Sequence, residues 1–269
     1  MLSFSPLSKY LAEVFGTFIL CLLGNGVVAN VILSKTKGEG GGGGGAWILI
    51  NAGWGFAVAI AVYATGWVSG AHINPAVTIG LAVIGEFSWS LVPGYLLAQL
   101  LGGFLAGVVV YFTYKQHFEL TDDPAVKLGV FATAPAIRNL RWNTITEIIG
   151  TAVLLIGILG ITSGATGSPG KIEGEFITGG VVGGMQPFII GVLVWAIGMS
   201  LGGPTGYAIN PARDLGPRLA HAILPIKGKG PNDWIYGLTV PIIGPIIGGI
   251  IGSLLWWGFS YFITTIAVN

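Results

Sequence analysis

Six stretches of the chain, residues 11–33, 46–68, 91–114, 145–161, 179–201 and 239–266, are predominantly apolar. A helix needs about 20 such residues to cross the hydrocarbon of a bilayer, so the chain reads as six crossings, which put both termini on one side. Composition agrees. Only 9% of residues are charged, where a soluble domain carries roughly a quarter, and the mean hydropathy is +0.80. The first run is too long for the apolar core of a signal peptide, carries Glu13 and shows no convincing small-residue cleavage site, so it is read as the first crossing. The expected class is an all-α membrane protein surrounded by lipid.

Two further apolar stretches, 75–84 and 211–224, are too short to cross. Each opens with the same triplet, Asn74, Pro75, Ala76 in one case and Asn210, Pro211, Ala212 in the other. Asparagine is a favoured N-cap, and proline is tolerated at the first helical position because its missing N–H had no partner there. Each triplet therefore predicts a short helix of about ten residues or more, roughly half a bilayer at 1.5 Å per residue. Asparagine oxygens that cap their own helices turn the amide NH2 groups toward a lumen as donors. Two such N-termini meeting in mid-membrane aim two positive dipole ends at one point, a barrier to cations.

The chain is written twice. Ala12 to Thr17, Ala-Glu-Val-Phe-Gly-Thr, returns as Thr-Glu-Ile-Ile-Gly-Thr from Thr146 to Thr151, and Ser-Gly-Ala-His-Ile-Asn-Pro-Ala (69–76) returns as Thr-Gly-Tyr-Ala-Ile-Asn-Pro-Ala (205–212). The order span, span, half-helix, span occurs in both halves, about 1–130 and about 140–269, within what reads as a single channel domain of residues 1–269. Three full crossings per repeat is an odd number, so the second copy sits inverted relative to the first. Inverted repeats of this kind place a solute path at their interface. One Asn-Pro-Ala is a weak signal; two at equivalent places, each opening an apolar half-span, are a strong one.

Other chemistries are excluded or left bare. The net charge of +1 supplies no basic stripe for nucleic acid. The lone Cys21 rules out an intramolecular disulfide and a cysteine-built metal site. The glycines at 40–45 are followed by nothing like Gly-Lys-Ser/Thr, so they are a flexible loop rather than a phosphate cradle. Residues 116–143 form the longest polar segment and the midpoint, and 163–178 and 227–233 are the remaining polar loops. No metal, cofactor or catalytic constellation is expected.

On both Asn-Pro-Ala motifs, on Ser69-Gly70-Ala71-His72 before the first, and on Asn210 to Pro217 (Asn-Pro-Ala-Arg-Asp-Leu-Gly-Pro), the chain resembles the aquaporin family, or major intrinsic proteins, and within it the glycerol-facilitator branch. The resemblance runs from Glu13 to the glycine-rich last helix. It implies a six-helix channel with two re-entrant half-helices, a homotetramer in the cell membrane with cytoplasmic termini, and passage of glycerol, water and other small uncharged solutes such as urea, hydrogen peroxide or lactic acid.

It also implies roles. Gly70, Ala71, His72, Ile73, Gly206, Ala208 and Ile209 lead into the half-helices; non-helical backbone at membrane depth survives only beside a wet cavity, and the resemblance makes these residues a ladder of carbonyl acceptors. Glu13 and Glu147 are intramembrane carboxylates, costly and functional by default, and are expected to hold those loops by accepting backbone N–H groups. Trp54, Gly198, Tyr207 and Arg213 form the expected selectivity filter, with an open corner at Gly198, where water-selective members carry histidine, and an apolar wall of Trp54 and Tyr207 opposite Arg213. Tyr207 departs from the phenylalanine of common glycerol channels. Asp214, Arg218 and Pro241 also match the glycerol branch.

Four alternatives are weighed against these readings: a water-selective channel, a coupled secondary transporter, a proton relay through Glu13 and Glu147, and an intramembrane enzyme using either glutamate or His72. No acidic pair stands ready for a coupling ion, and no nucleophile–base pair is visible. The spacings Gly103–Gly107, Gly160–Gly164 and Gly244–Gly248–Gly252 are expected to bring helices close within one protomer. With cytoplasmic termini the inner side holds Lys9 and Lys171, while Lys35, Lys37, Lys115, Lys127, Arg138, Arg141, Arg218, Lys227 and Lys229 lie outside or at the outer interface, which opposes the positive-inside bias.

Overall fold

A computed structural model describes residues 4–42, 46–166 and 181–268. Six of its helices are long and apolar enough to cross a membrane: α1 Pro6–Ile32, α2 Ala46–Ser69, α4 Val92–Thr113, α7 Leu140–Thr166, α8 Val181–Leu201 and α10 Trp234–Val268. Between them lie α3 Pro75–Val83 and α9 Pro211–Ile223, the two half-spanning helices. The polar segment at the midpoint is partly helical, with α5 Lys115–Leu120 and α6 Pro124–Phe131. Asp123 caps α6 by accepting from the Ala125 N–H, a local Asp-Pro signal that composition alone hides. Part of the six-glycine run closes a 3-10 turn, Glu39–Gly42. Lys171 and most of the 163–178 loop lie outside the described residues.

Three of the spans, α1, α7 and α10, are longer than their apolar runs. α1 begins at Pro6, where Ser5 caps it by accepting from the Ser8 N–H. α7 takes in the polar residues from Leu140 onward, and α10 starts at Trp234. Caps and backbone hydrogen bonds decide where a helix starts, and hydropathy cannot see them.

Within each half the first span packs on the second and on the last: α1 on α2 and α4, α7 on α8 and α10. The half-helices cross over. α3 lies chiefly against α10 and α9 chiefly against α4, each against the last span of the other repeat. Two glycines make this contact possible: a Cβ at Gly103 would stand 2.7 Å from the carbonyl oxygen of Ala212, and one at Gly249 would stand 2.6 Å from that of Ala76. The alanines of both triplets thus press on glycines of the opposite repeat, so neither repeat can bury its half-helix alone.

Candidate functional site

The site is the place where α3 and α9 meet end to end. Asn74 has extended backbone and its side-chain oxygen accepts from the Ala76 N–H at 2.8 Å; Asn210 likewise accepts from Ala212 at 3.0 Å and Arg213 at 3.2 Å. Their amide nitrogens reach across the junction. Asn74 Nδ2 donates to the Ile209 carbonyl and Asn210 Nδ2 to the Ile73 carbonyl, both at 2.8 Å. One hydrogen of each NH2 is thereby held by the other repeat, and one is left for the lumen. The sequence reading, which turned both whole NH2 groups inward, misses this cross-link, because no spacing within one repeat reports a bond between repeats.

The two lead-ins are copies of each other in backbone. Gly70, Ala71 and Ile73 have φ of 82°, 47° and 44°, and Gly206, Tyr207 and Ile209 have φ of 78°, 37° and 41°. Left-handed backbone costs a residue other than glycine roughly 1–2 kcal/mol, so something must hold Ala71, Ile73, Tyr207 and Ile209 there. Glu13 Oε1 accepts from His72 N–H at 2.9 Å and its Oε2 from Ile73 N–H at 2.7 Å; Glu147 accepts from Ala208 at 2.9 Å and Ile209 at 2.8 Å. Both carboxylates are fully buried.

Around Glu13 the network extends further than sequence indicates. Ser69 Oγ donates to Glu13 at 2.7 Å, and Gln99 Nε2 donates to Glu13 at 2.8 Å and to Thr78 Oγ1 at 3.0 Å. His72 Nδ1 lies 3.1 Å from Thr78 Oγ1, with its ring packed between Phe87 and Tyr95 at 4.6 and 5.0 Å between centroids. Gln99 carried a signal: it is a polar side chain in mid-span, which by default has a partner.

Trp54, Gly70, Ala71, His72, Ile73, Asn74, Tyr207, Ala208, Ile209, Asn210 and Arg213 line one cavity of about 110 Å³, with aliphatic side chains such as Leu20, Val58 and Val194 making up the rest of its wall. Pro75, Ala76, Pro211 and Ala212 form the first turns of α3 and α9 just behind it. Glu13 and Glu147 are outside the lining. Gly206 is outside it too, and its carbonyl accepts from Arg213 Nη2 at 3.4 Å.

Two features of the expected filter differ. The Arg213 guanidinium lies over the Trp54 ring, 4.2 Å from its centroid and 6.0 Å from that of Tyr207. Trp54 is thus a cation–π partner of Arg213 as well as an apolar wall, because a buried guanidinium takes the nearest π face. The corner at Gly198 is filled: a Cβ there would stand 2.6 Å from Asn51 Oδ1 and 2.7 Å from Tyr207 Cζ. Trp47 packs edge-on against Tyr207, with ring centroids 5.9 Å apart. Trp47, Asn51 and Trp54 are spaced four and three apart, one face of α2, a stripe legible once Trp54 is placed.

Asp214 and Arg218 anchor α9 to the midpoint segment. Asp214 Oδ2 accepts from both N–H and hydroxyl of Thr133 at 2.7 Å, and Arg218 Nε donates to Asp214 Oδ1 at 2.8 Å. Arg218 Nη2 donates to the Thr133 carbonyl at 2.9 Å and Nη1 to that of Asn232 at 2.6 Å. Among the described residues no three His, Cys, Asp or Glu side chains gather as a metal site.

The family described as major intrinsic protein matches residues 1–256. The chain is 57% identical over 239 residues to the Thermotoga maritima protein named "Probable glycerol uptake facilitator protein", covering 89% of this chain and 94% of that one. It is 50% identical over 247 residues to glycerol uptake facilitator protein 3 of Lactiplantibacillus plantarum, covering 92% and 95%. Its structure is similar to that of the aquaglyceroporin from Plasmodium falciparum, with a TM-score of 0.76 and 30% identity over 94% of this chain and 96% of the other.

Proposed function

The chain belongs to the major intrinsic protein family, and on that premise we propose that it is a passive channel for glycerol and other small uncharged solutes, water among them. The observation that carries this reading is the reciprocal cap at the junction: two helix N-termini, two asparagine amides and two crossed hydrogen bonds on one lined cavity. The fixed donors and dipole ends oppose cations. They also fix how a passing oxygen orients, which breaks a proton-conducting chain of waters.

In this reading Trp54, Gly198, Tyr207 and Arg213 are the selectivity filter. A polyol lays its carbons along Trp54 and Tyr207 while its hydroxyl oxygens take N–H donors from Arg213, replacing part of the guanidinium's contact with Trp54. Carbonyls of Gly70, Ala71, His72 and Ala208 serve as acceptors along the path, while that of Gly206 helps to hold Arg213. Glu13 and Glu147, with their oxygens already given to backbone N–H groups, support those loops and leave nothing for a proton relay. Membership of this family, with relatives named glycerol uptake facilitators, supports a channel rather than an enzyme.

The wider assignments follow the family. The protein is a single channel domain built of repeats at about 1–130 and 140–269, assembled as a homotetramer in the cell membrane with cytoplasmic termini. Several cations on the outer side have internal duties: Arg218 pairs with Asp214, Lys127 Nζ donates to the Lys227 carbonyl at 2.5 Å, and Lys229 Nζ donates to the carbonyls of His221, Ala222 and Leu224. Three of the nine outer cations are thus held by partners within the fold, which supports the family's orientation against the positive-inside bias.

Proteoliposomes loaded by a proton or sodium gradient test the passive reading. Glycerol is expected to equilibrate without accumulating, to enter in proportion to concentration and to ignore protonophores. Accumulation against its gradient would establish a coupled transporter instead.

A further inference from the structure

Two side chains that carry unpartnered polar atoms converge on the Gly198 corner. Asn51 is fully buried, and neither its Oδ1 nor its Nδ2 makes a hydrogen bond; the hydroxyl of Tyr207, a residue that lines the cavity, makes none either. Asn51 Oδ1 and Tyr207 Cζ lie within 2.6 and 2.7 Å of one point, the position a Cβ on residue 198 would take. Buried polar groups left unpaired are strongly disfavoured, and two complementary ones side by side pair with each other. The tyrosine ring turns about two bonds, and its hydroxyl is both donor and acceptor, as is the carboxamide.

We propose that Asn51 is a specificity-determining residue of the filter: its carboxamide hydrogen-bonds the Tyr207 hydroxyl across Gly198 and so fixes how far the Tyr207 ring stands into the path. The inference rests on the reading of Trp54, Tyr207 and Arg213 as the filter. It changes what Gly198 is for. Glycine at this position admits the Asn51–Tyr207 pair rather than leaving a gap, and any side chain there would displace one member. Asn51 is a positioning residue, since it acts on the solute through Tyr207, and Trp47 packs on the same ring.

The test is a double-mutant cycle of Asn51→Leu and Tyr207→Phe, read as the ratio of glycerol to water permeability in proteoliposomes with equal channel content. Removing either partner frees the ring, so each single variant is expected to shift the ratio by about fivefold, the order of one hydrogen bond. The double variant is expected to match Tyr207→Phe alone, because the bond is lost only once. Asn51→Ala, which adds no bulk, is expected to shift the ratio in the same direction as Asn51→Leu and serves if leucine prevents folding. A packing role for Asn51 would lower both permeabilities together and leave the ratio unchanged, or shift it equally in both backgrounds; either result overturns the proposal. An unmodified protein that passes no glycerol would instead overturn the filter reading itself, which separates the two failures.

Discussion

Glu147 gives both carboxylate oxygens to the N–H groups of Ala208 and Ile209, which stand beside and in left-handed backbone. Glu147→Gln keeps the size but turns one oxygen into an NH2 that faces another donor. The expected cost is about 1–3 kcal/mol, that of one buried donor left unpaired, seen as a lower midpoint of thermal unfolding in detergent together with reduced solute flux. Unchanged stability and flux would remove the supporting role. At the junction, Asn74→Asp with Asn210→Asp deletes both crossed N–H donors and puts negative charge at two positive helix ends. Cation current across a planar bilayer is expected to appear in this variant and to be absent from the unmodified protein. The identities of Asn74, Asn210, Glu13, Glu147 and Arg213 were legible in the sequence because each is a polar residue at a repeated or motif position in apolar surroundings. Asn51 and the crossed amide bonds were not, since both depend on which residues of one repeat face the other.

α9 is held on α4 because Gly103 offers no side chain to the Ala212 carbonyl. Gly103→Val is expected to push α9 off its seat and cost about 1–3 kcal/mol, the usual range for overpacking. Gly26→Ala in α1, where a Cβ meets nothing within 4 Å, is expected to leave stability unchanged or slightly raised. Equal losses in the two variants would show that close packing at Gly103 does not matter. Outside the membrane, Arg138 donates to both oxygens of Asp233 at 2.5 and 2.9 Å, tying the segment before α7 to the start of α10. This pairing holds the Asp233 carboxyl below the usual carboxylate range. A depressed carboxylate contributes stability at neutral pH that is lost only as pH falls through its lowered pKa. The small stability difference between the unmodified protein and Arg138→Ala is therefore expected to be constant at neutral pH and to vanish below the ordinary carboxylate range and in high salt. Apolar runs locate every span, while the starts of α7 and α10 and the helices α5 and α6 follow from caps and tertiary bonds that hydropathy does not register.

At the scale of the whole molecule, the exchange of half-helices between repeats makes one inseparable unit around one path. The repeat in the sequence predicts inversion from the count of crossings; the crossover packing of α3 on α10 and α9 on α4 is not legible there, because no sequence offset says which last span a half-helix seats on. The channel claim then comes down to what passes the corner at Gly198, where Tyr207 and Asn51 occupy space that a shorter reading leaves open. Stopped-flow light scattering on proteoliposomes, with a glycerol gradient in one run and an impermeant osmolyte in the next, measures both permeabilities on the same vesicles. Glycerol permeability well above that of protein-free vesicles, abolished when Gly198→His displaces the Tyr207 ring into the path, is the expected result. Fast water flux with glycerol permeability no higher than that of protein-free vesicles would contradict it and make the protein a water channel.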